Sequence, residues 1–263
     1  SHCSIRGLHF SSDSVHPGSS SCGYYGHQYL QQTASSSFQP KAALIDMDGV
    51  LFDSMPHHAK CWTDLFRGLG FSFEEKEAYM HEGRTGKATL EILYRRELQR
   101  DPTDQEVKEL YGRKARMFDD MPPAPIMKDA DALLDVIRDA GMQRILVTGS
   151  GQTKLFDRLN EAFPGHFSEK SMVTAFDVKK GKPFPEPYLM GLQKAGVLAN
   201  QAIVIENAPL GVQAGRAAGI FTIAVNTGLL EDEILKEAGC NLLFHSMTEL
   251  KEAWPEIIKP LSK

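Results

Sequence analysis

Two aspartates, Asp46 and Asp48, stand directly after a short apolar run and are followed by a glycine. Residues two apart in an extended chain point to the same side, so both carboxylates can face one ligand. Carboxylates paired in this way are groups that phosphoryl transfer uses. An Asp-x-Asp-Gly sequence can also be a plain turn. The two aspartates alone therefore do not predict a function, and the other motifs of the chain are needed.

Two further apolar runs also end in polar residues. Thr148 follows one run, and the backbone N–H groups after it, from Gly149 onward, can approach an anion at the start of a helix. Glu206 and Asn207 follow another run, and their side-chain oxygens suit Mg²⁺. Each motif alone can be a helix cap or a loop. Their joint occurrence, each at the end of an apolar run, favours one shared site for phosphate and metal.

A lysine flanked by a glycine and a proline lies between the second and third of these motifs. Lys182 follows Gly181 and precedes Pro183. A lysine held in this way can offer a point charge to a phosphate and can neutralise two close carboxylates. The neighbouring Lys179 and Lys180 are typical of a solvated basic loop. Lys182 is therefore the cation that we expect in the site.

The apolar runs before these polar residues are predicted strands of a parallel sheet. Near-continuous apolar runs are typical of strands that are buried on both faces. Helical patterns alternate with them, which predicts an α/β fold, a Rossmann-like parallel sheet covered on both faces. Ligands bind beyond the carboxyl ends of the strands in such sheets. The predicted strands are 42–45, 144–147, 202–205 and 220–225, and the predicted helices between them are 131–140, 186–195 and 210–218.

Residues 56 to about 121 break this alternation, because they show helical patterns and no convincing strand. Consecutive prolines at positions 122 and 123 end the segment, since proline cannot continue a helix. We therefore expect a helical module inserted after the first strand of the sheet. Its predicted helices are 56–68, 88–98 and 104–121.

Composition excludes several classes of protein. The chain has 263 residues, of which 42% are hydrophobic and 24% charged, as in ordinary globular proteins. No apolar run approaches the roughly 18–20 residues of a membrane span, so no membrane partner is expected. The net charge of −5 and the scattered basic residues argue against a nucleic-acid partner. The four cysteines lack metal or redox spacing, and free thiols in a reducing compartment are expected.

The first 40 residues differ from the rest of the chain. They hold eleven serines and a single acidic residue, Asp13, with no sustained apolar period. Such a segment buries too little surface to offset its ordering entropy, so a disordered tail is predicted. Serine-rich segments that are poor in acids also resemble organelle transit peptides, although Arg6 is the only arginine here. Targeting to an organelle such as the chloroplast is one hypothesis, and an untargeted cytoplasmic protein is the other.

The assembled motifs resemble those of the haloacid dehalogenase-like phosphohydrolases, and more narrowly the β-phosphoglucomutase-like members. The resemblance covers residues 41–263 and is carried by the segments 46–54, 147–150 and 205–212 together with Lys182. It implies a core formed by residues 41–54 and 123–263, with a helical cap at 55–122.

The resemblance implies a role for each motif. Asp46 would attack phosphorus and form an aspartyl-phosphate, and Asp48 would act as general acid and then as general base. Thr148, Gly149 and Lys182 would hold the transferring phosphoryl group. The implied cofactor is Mg²⁺, held by Asp46, the backbone carbonyl of Asp48, and the fourth motif with Glu206 and Asn207.

One position departs from the family pattern. Many relatives carry an acidic residue where this chain has Asn207, and a neutral amide contributes no charge to a metal site. Glu82 lies in the part of the cap that reaches down onto the site in this family. We hypothesise that Glu82 completes the metal shell; a surface glutamate in a turn is the alternative.

The sequence leaves the substrate open among small phosphorylated molecules. Segments 82–86, 173–178 and 205–211 resemble members that act as inorganic pyrophosphatases, so pyrophosphate is the leading prediction. A phosphatase for sugar or nucleotide monophosphates is the runner-up. His58, twelve residues after Asp46, also fits a sugar phosphomutase, and an inactive binding protein is the non-enzyme alternative. A monomer is expected, and the candidate substrate-binding residues of the cap are His58, Arg84, Lys87, Tyr111 and Lys114.

Overall fold

A parallel sheet forms the centre of the protein in the computed structural model, which describes residues 8–9, 29–30, 33, 35, 37–152 and 154–262. Its strands are β1 (Leu8–His9), β3 (Ala42–Ile45), β4 (Gln143–Val147), β5 (Met172–Val173), β6 (Ala202–Glu206), β7 (Phe221–Val225) and β8 (Leu242–Phe244). Their order across the sheet is β1–β8–β7–β6–β3–β4–β5, and all pairings are parallel. Two short strands, β2 (Ser37–Phe38) and β9 (Leu261–Ser262), pair antiparallel beside it.

Helices cover both faces of this sheet. They are α5 (Ala130–Asp139), α6 (Leu155–Ala162), α7 (Glu186–Ala195), α8 (Pro209–Ala217), α9 (Asp232–Ala238) and α10 (Met247–Ile257). Every residue of β3, β6 and β7 is buried, as the continuous apolar runs predict. One face packs on α5 and α10, and the other packs on α7 and α8. The predicted α/β fold with a covered parallel sheet is confirmed.

A helical insertion follows the first central strand, as predicted. It contains α1 (Met55–Gly68), α2 (Glu75–His81), α3 (Gly86–Leu98) and α4 (Asp104–Asp119). We refer to these four helices as the cap. They enclose an apolar cluster of their own, centred on residues such as Phe66 and Leu90. The sequence predicts α1, α3 and α4 but not α2, because seven residues are too few for a clear helical period.

The prediction that residues 1–40 bury little surface is wrong at the end of that segment. Tyr29 and Phe38 are fully buried, and their rings pack on each other and on Phe221 of β7. Burying a phenylalanine contributes about 1.5–3 kcal/mol relative to leaving it exposed. The serine-rich composition of the segment as a whole gives no sign of these apolar side chains, which cover one side of the sheet. Most of the segment on which organelle targeting depends lies outside the described residues.

Two observations bear on the environment of the protein. No helix among the described residues is long and apolar enough to cross a membrane. Cys61 and Cys240 are free and buried. Burial raises the pKa of the Cys61 thiol, which agrees with a packing role for this side chain rather than a nucleophilic one.

Candidate active site

Three neighbouring strands bring the predicted motifs together at one edge of the sheet. β3 lies between β4 and β6, with Ile45 opposite both Leu146 and Ile205. The residues that follow these strands therefore lie side by side, and the backbone N–H of Asp46 donates to the carbonyl of Ile205 at 3.0 Å. Thr148, after β4, lines the same cavity as Asp46 and is buried. The structure thus brings together the carboxyl ends of three strands.

Lys182 lies at the centre of a buried ion network. Its ammonium group donates to Asp46 Oδ1 at 2.9 Å, to Glu206 Oε1 at 2.6 Å and to the carbonyl oxygen of Val147 at 2.9 Å. Three donors of one lysine are therefore used. The lysine is 2% exposed, so water screens these contacts little.

The pKa values of this network show two carboxylates competing for one cation. Burial and then the nearby Glu206 carboxylate raise the pKa of Asp46 to about 8, although Lys182 lowers it. Burial by itself would lower the pKa of Lys182, but Asp46 and Glu206 together raise it above its ordinary value. Asp46 is therefore short of positive charge in this arrangement, and a further cation beside it would favour its ionised form.

Glu206 is held by protein donors on both of its oxygens. Its Oε1 accepts from Lys182 and from the Tyr188 hydroxyl at 2.5 Å, and its Oε2 accepts from the backbone N–H of Asn207 at 3.2 Å. A Cβ at Gly211 would lie 2.0 Å from the Glu206 carboxyl carbon, so only glycine fits beneath it. These contacts make Glu206 a holder of Lys182. Its predicted part in a metal site stays a prediction.

A second polar chain links Asp48 to the cap. Asp48 Oδ1 accepts from the Ser54 hydroxyl at 2.5 Å and lies 2.9 Å from His58 Nε2. The other ring nitrogen of His58 lies 2.6 Å from Lys114 Nζ. A lysine ammonium can only donate. The charged form of Lys114 therefore places the proton of a neutral His58 on Nε2, from which it is donated to Asp48.

Charge and burial tune the pKa of each group in this chain. Burial alone would raise the pKa of Asp48, but His58 and the hydrogen bonds from His58 and Ser54 hold it well below its ordinary value. Burial and then Lys114 lower the pKa of His58. Burial lowers the pKa of Lys114 to about 8. Asp48 is therefore a carboxylate here, and Ser54 of the core together with His58 of the cap keeps it so.

Glu82 of the cap contacts Asn207 of the core. Asn207 Nδ2 donates to Glu82 Oε2 at 3.1 Å. Burial, and then the carboxylates of Asp46 and Glu206, raise the pKa of Glu82 well above its ordinary value. The Glu82 Oε1 and Asn207 Oδ1 atoms are buried and have no hydrogen-bond partner in the part of the chain that the structure describes. Buried oxygens usually have a hydrogen-bond partner or a bound ion, and these two are free to accept one.

A divalent cation fits this donor set. Asp46, Glu82 and Asn207 offer side-chain oxygens, and oxygen is the ligand that Mg²⁺ prefers. No group of three or more His, Cys, Asp or Glu side chains among the described residues is arranged to hold a metal by itself. A cation here would therefore depend on amide and main-chain oxygens as well as on carboxylates.

The remaining cap candidates divide into those that reach the cavity and one that does not. Arg84 and Tyr111 line it together with His58 and Lys114. Lys87 does not: its exposed side chain lies 3.9 Å from Glu91 and lines an adjacent groove that Arg84 also lines, so its predicted role stays a prediction.

The cavity itself is small and lies between the cap and the core. Its volume is about 80 Å³. The loop after α2 lies directly on the second motif, since a Cβ at Gly149 would be 2.7 Å from the carbonyl oxygen of Gly83. Little space is therefore left over the Asp46 carboxylate for a leaving group.

Several residues of the site had no clear signal in the sequence. Ser54 and Tyr188 hold Asp48 and Glu206, respectively, but a lone Ser or Tyr carries no distinctive spacing. His81, directly before Glu82, and Gln152, two residues after the second motif, also line the cavity, although neither was a candidate by itself. Ser54 could have been found from the first motif, whose last residue it is.

Comparison with known proteins agrees with this geometry. A family model described as haloacid dehalogenase-like hydrolase matches residues 40–219. Hexitol phosphatase A of Escherichia coli is 31% identical, over 80% of this chain and 93% of that protein. Glycerol-1-phosphate phosphohydrolase 2 of Saccharomyces cerevisiae is also 31% identical, over 80% of this chain and 84% of that protein.

A solved structure shows the same likeness in three dimensions. It comes from Bacteroides vulgatus and carries the provisional name beta-phosphoglucomutase. Its sequence is 52% identical and its TM-score is 0.85, over 89% of this chain and 95% of that one. The α/β fold with its inserted cap agrees with this likeness. The chain therefore belongs to the haloacid dehalogenase-like hydrolases, and it is a phosphatase of that family.

Proposed function

We propose that this phosphatase hydrolyses a small phosphomonoester, of a polyol or a sugar, with Asp46 as its nucleophile and Mg²⁺ as its cofactor. The observation that carries the proposal is the placement of Asp46. Its carboxylate lines the cavity while Lys182 binds its Oδ1 at 2.9 Å. A carboxylate fixed in this way is oriented toward whatever fills the cavity.

The proposed reaction has two steps. In the first, a carboxylate oxygen of Asp46 bonds to phosphorus and the bond from phosphorus to the leaving oxygen breaks. Asp48, a carboxylate in the free enzyme, takes up the proton that a substrate monoanion brings and gives it to that oxygen. In the second, water bonds to phosphorus, Asp48 takes a proton from the water, and Asp46 is released as a carboxylate with free phosphate. Asp48 lines the cavity beside Asp46, within the same closed space.

Phosphate-binding groups surround Asp46. Thr148 and Gly149 line the cavity at the end of β4, where a hydroxyl and backbone N–H groups can hold phosphoryl oxygens. Lys182 supplies the positive charge below them. Its bonds to Asp46, Glu206 and the carbonyl of Val147 use its three donors, so we assign it to orienting Asp46 and to offsetting negative charge beside the phosphoryl group.

Asp46, Asn207, Glu82 and the main-chain carbonyl of Asp48 would hold the metal ion. The unpartnered oxygens of Glu82 and Asn207 support this assignment. When bound, Mg²⁺ neutralises charge that would otherwise repel the nucleophile. We place Glu206 behind Lys182 rather than on the metal, because both of its oxygens already accept hydrogen bonds.

The relatives support a phosphomonoester as substrate. They include proteins named hexitol phosphatase, glycerol-1-phosphate phosphohydrolase and fructose-1-phosphate phosphatase. Small polyol and sugar phosphates share a phosphate on a primary or hemiacetal carbon with hydroxyls beside it. The small cavity favours substrates of that size over nucleotides.

Inorganic pyrophosphate is a second candidate, which the cap side of the cavity favours. Arg84 and Lys114 both line the cavity, and cations there could bind a second phosphate. Burial lowers the pKa of Lys114 to about 8, so an anion would favour its charged form. The contact of Glu82 with Asn207 leaves little room for an organic leaving group.

Rates of phosphate release from a panel of substrates test the proposal. The panel contains glycerol 1-phosphate, hexitol phosphates, fructose 1-phosphate and pyrophosphate, each with Mg²⁺. We expect kcat/KM for one of the organic phosphates to exceed that for pyrophosphate at least tenfold. The reverse order would overturn the phosphomonoester assignment in favour of pyrophosphate. Isomerisation of glucose 1-phosphate without phosphate release would show a mutase and contradict both.

A further inference from the structure

One segment of the core contacts both the cap and the turn that carries Asp48 and Gly49, which we call the catalytic turn. It is the connection between β7 and α9, residues 226–231, which we call the strap. The side chain of Asn226 shapes it, since Nδ2 donates to the carbonyl of Leu230 at 2.9 Å and to Asp232 at 2.7 Å. The backbone of Asn226 is anchored to β8 through the carbonyl of Phe244 at 2.8 Å. The strap therefore starts from the rigid sheet.

Thr227 of the strap binds the turn that carries Asp48. Its hydroxyl donates to the carbonyl oxygen of Gly49 at 2.6 Å. Gly49 follows Asp48 directly and has φ +83°, a conformation that favours glycine. A Cβ at Gly49 would lie 1.9 Å from the amide nitrogen of Asn207. The turn is thus packed against the fourth motif on one side and tied by Thr227 on another.

The other end of the strap packs into the cap. Leu230 is 7% exposed and belongs to the apolar cluster of the cap, although it is a residue of the core. A Cβ at Gly228 would lie 3.0 Å from the ring of Tyr79 on α2, so the backbone of the strap lies against that helix. Helix α2 ends at His81, immediately before Glu82, which contacts Asn207. The neighbouring Leu229, in contrast, is 57% exposed.

We infer that the strap is a positioning element for the phosphatase reaction: Thr227 fixes the turn behind Asp48, and Leu230 holds α2 of the cap over the site. The inference rests on the proposed acid–base role of Asp48. Because one segment of six residues contacts both, the strap couples the position of the cap to that of the catalytic turn. Leu230 would be exposed to solvent if the cap moved away from the core.

The Thr227 contact is tested by Thr227→Val, which keeps the shape and removes the hydroxyl, beside Thr227→Ser, which keeps the hydroxyl. The readout is hydrolysis of a chromogenic aryl phosphate, a generic phosphomonoester. We expect Thr227→Val to lower kcat at least tenfold with KM changed less than threefold, and Thr227→Ser to remain within threefold of wild type. Equal kcat in Thr227→Val and wild type, or equal impairment in both variants, would overturn the role of the hydroxyl.

The Leu230 contact is tested without substrate, by hydrogen exchange of the α2 amides in Leu230→Ala and in the matched control Leu229→Ala. We expect exchange in α2 at least tenfold faster in Leu230→Ala, with the amides of β6 and β7 unchanged, and wild-type exchange in Leu229→Ala. Equal exchange in the two variants would overturn the role of Leu230. Inactivity of the wild type toward the aryl phosphate would count against the proposed function alone, since the exchange measurement does not depend on turnover.

Discussion

The core half and the cap half of the site differ in how their side chains are held. In the core, Asp46, Lys182 and Glu206 are at most 4% exposed, and Lys182 forms a direct ion pair with each of the two carboxylates. In the cap, His58 contacts Asp48 and Glu82 contacts Asn207 through one hydrogen bond each, and Lys114 acts on the core through His58. The comparison indicates that the sheet fixes the bond-breaking groups, whereas docking of the cap sets the protonation of Asp48 and the space for the leaving group.

The largest expected effect is on the core side, from Asp46→Asn. An amide cannot act as the nucleophile, so kcat should fall by about 10⁴-fold, as for other single catalytic residues. The free energy of unfolding should not fall, because the change removes one of two carboxylates that compete for Lys182. Steady-state phosphate release and urea unfolding measure the two quantities. More than a tenth of wild-type activity would contradict the role of Asp46.

Lys182→Met should lower the free energy of unfolding, and the size of the loss tests the ion network of the core half. It leaves Asp46 and Glu206 buried without their cation, and breaking a buried ion network from one side costs about 3–5 kcal/mol. Arg158→Met is a suitable comparison, because this partly exposed arginine lies over the rings of Phe52 and Phe118 rather than in an ion pair. Urea unfolding at neutral pH gives the values. Equal losses in both variants would remove the distinction between the network and ordinary packing.

The pH dependence of stability should reveal the buried charge of Lys114. Its pKa in the folded protein is about 8, below its ordinary value of 10.5, because of burial. Between these values the unfolded chain binds the proton and the folded chain does not, so stability rises with pH. The unfolding free energy of wild type relative to Lys114→Met should increase by up to about 1.4 kcal/mol per pH unit above pH 8. A difference that stays flat with pH contradicts a buried Lys114.

Glu82→Gln should weaken the metal site from the cap side. The amide keeps a polar group beside Asn207 but removes the charge, so the Mg²⁺ concentration for half-maximal activity should rise about tenfold, as when supporting groups of metal sites are lost. A titration of activity with Mg²⁺ measures this. Unchanged Mg²⁺ dependence together with unchanged turnover would leave Glu82 as a turn residue of the cap.

The smallest effects should distinguish two neighbouring cations of the cap. Arg84 lines the cavity and Lys87 does not, so Arg84→Ala should raise KM about tenfold, the loss expected for one hydrogen bond to a charged group. Lys87→Ala should stay within twofold of wild type, as is usual for exposed positions. The measurement is KM for the preferred substrate in each variant. Similar KM values in the two variants would contradict the placement of Arg84.

Much of the core half follows from the sequence. The strand ends at residues 45, 147 and 205 are visible as apolar runs, and parallel strands leave the next residues at one edge. Asp46, Thr148 and Asn207 could therefore be grouped before the fold was known. Lys182 could be added because Pro183 restricts the backbone of the residue before it.

The cap half follows much less well. The contact of Lys114 with His58 joins residues 56 positions apart, and only the packing of α4 on α1 brings them together. The Thr227 contact with Gly49 spans 178 positions and uses a residue type without a distinctive pattern. The periodicity of apolar residues along the sequence predicts local structure and does not predict contacts between distant positions. For the same reason the burial of Tyr29 and Phe38 was hidden within a serine-rich segment.

The central claim, that Asp46 carries the phosphoryl group, is tested most directly by mass spectrometry of peptides from enzyme quenched in acid during turnover. We expect a phosphoryl group on the peptide that contains Asp46, reducible by borohydride at that aspartate, and its absence in Asp46→Asn. Sustained turnover with no modified aspartate, or with the phosphoryl group on another residue, would contradict the account.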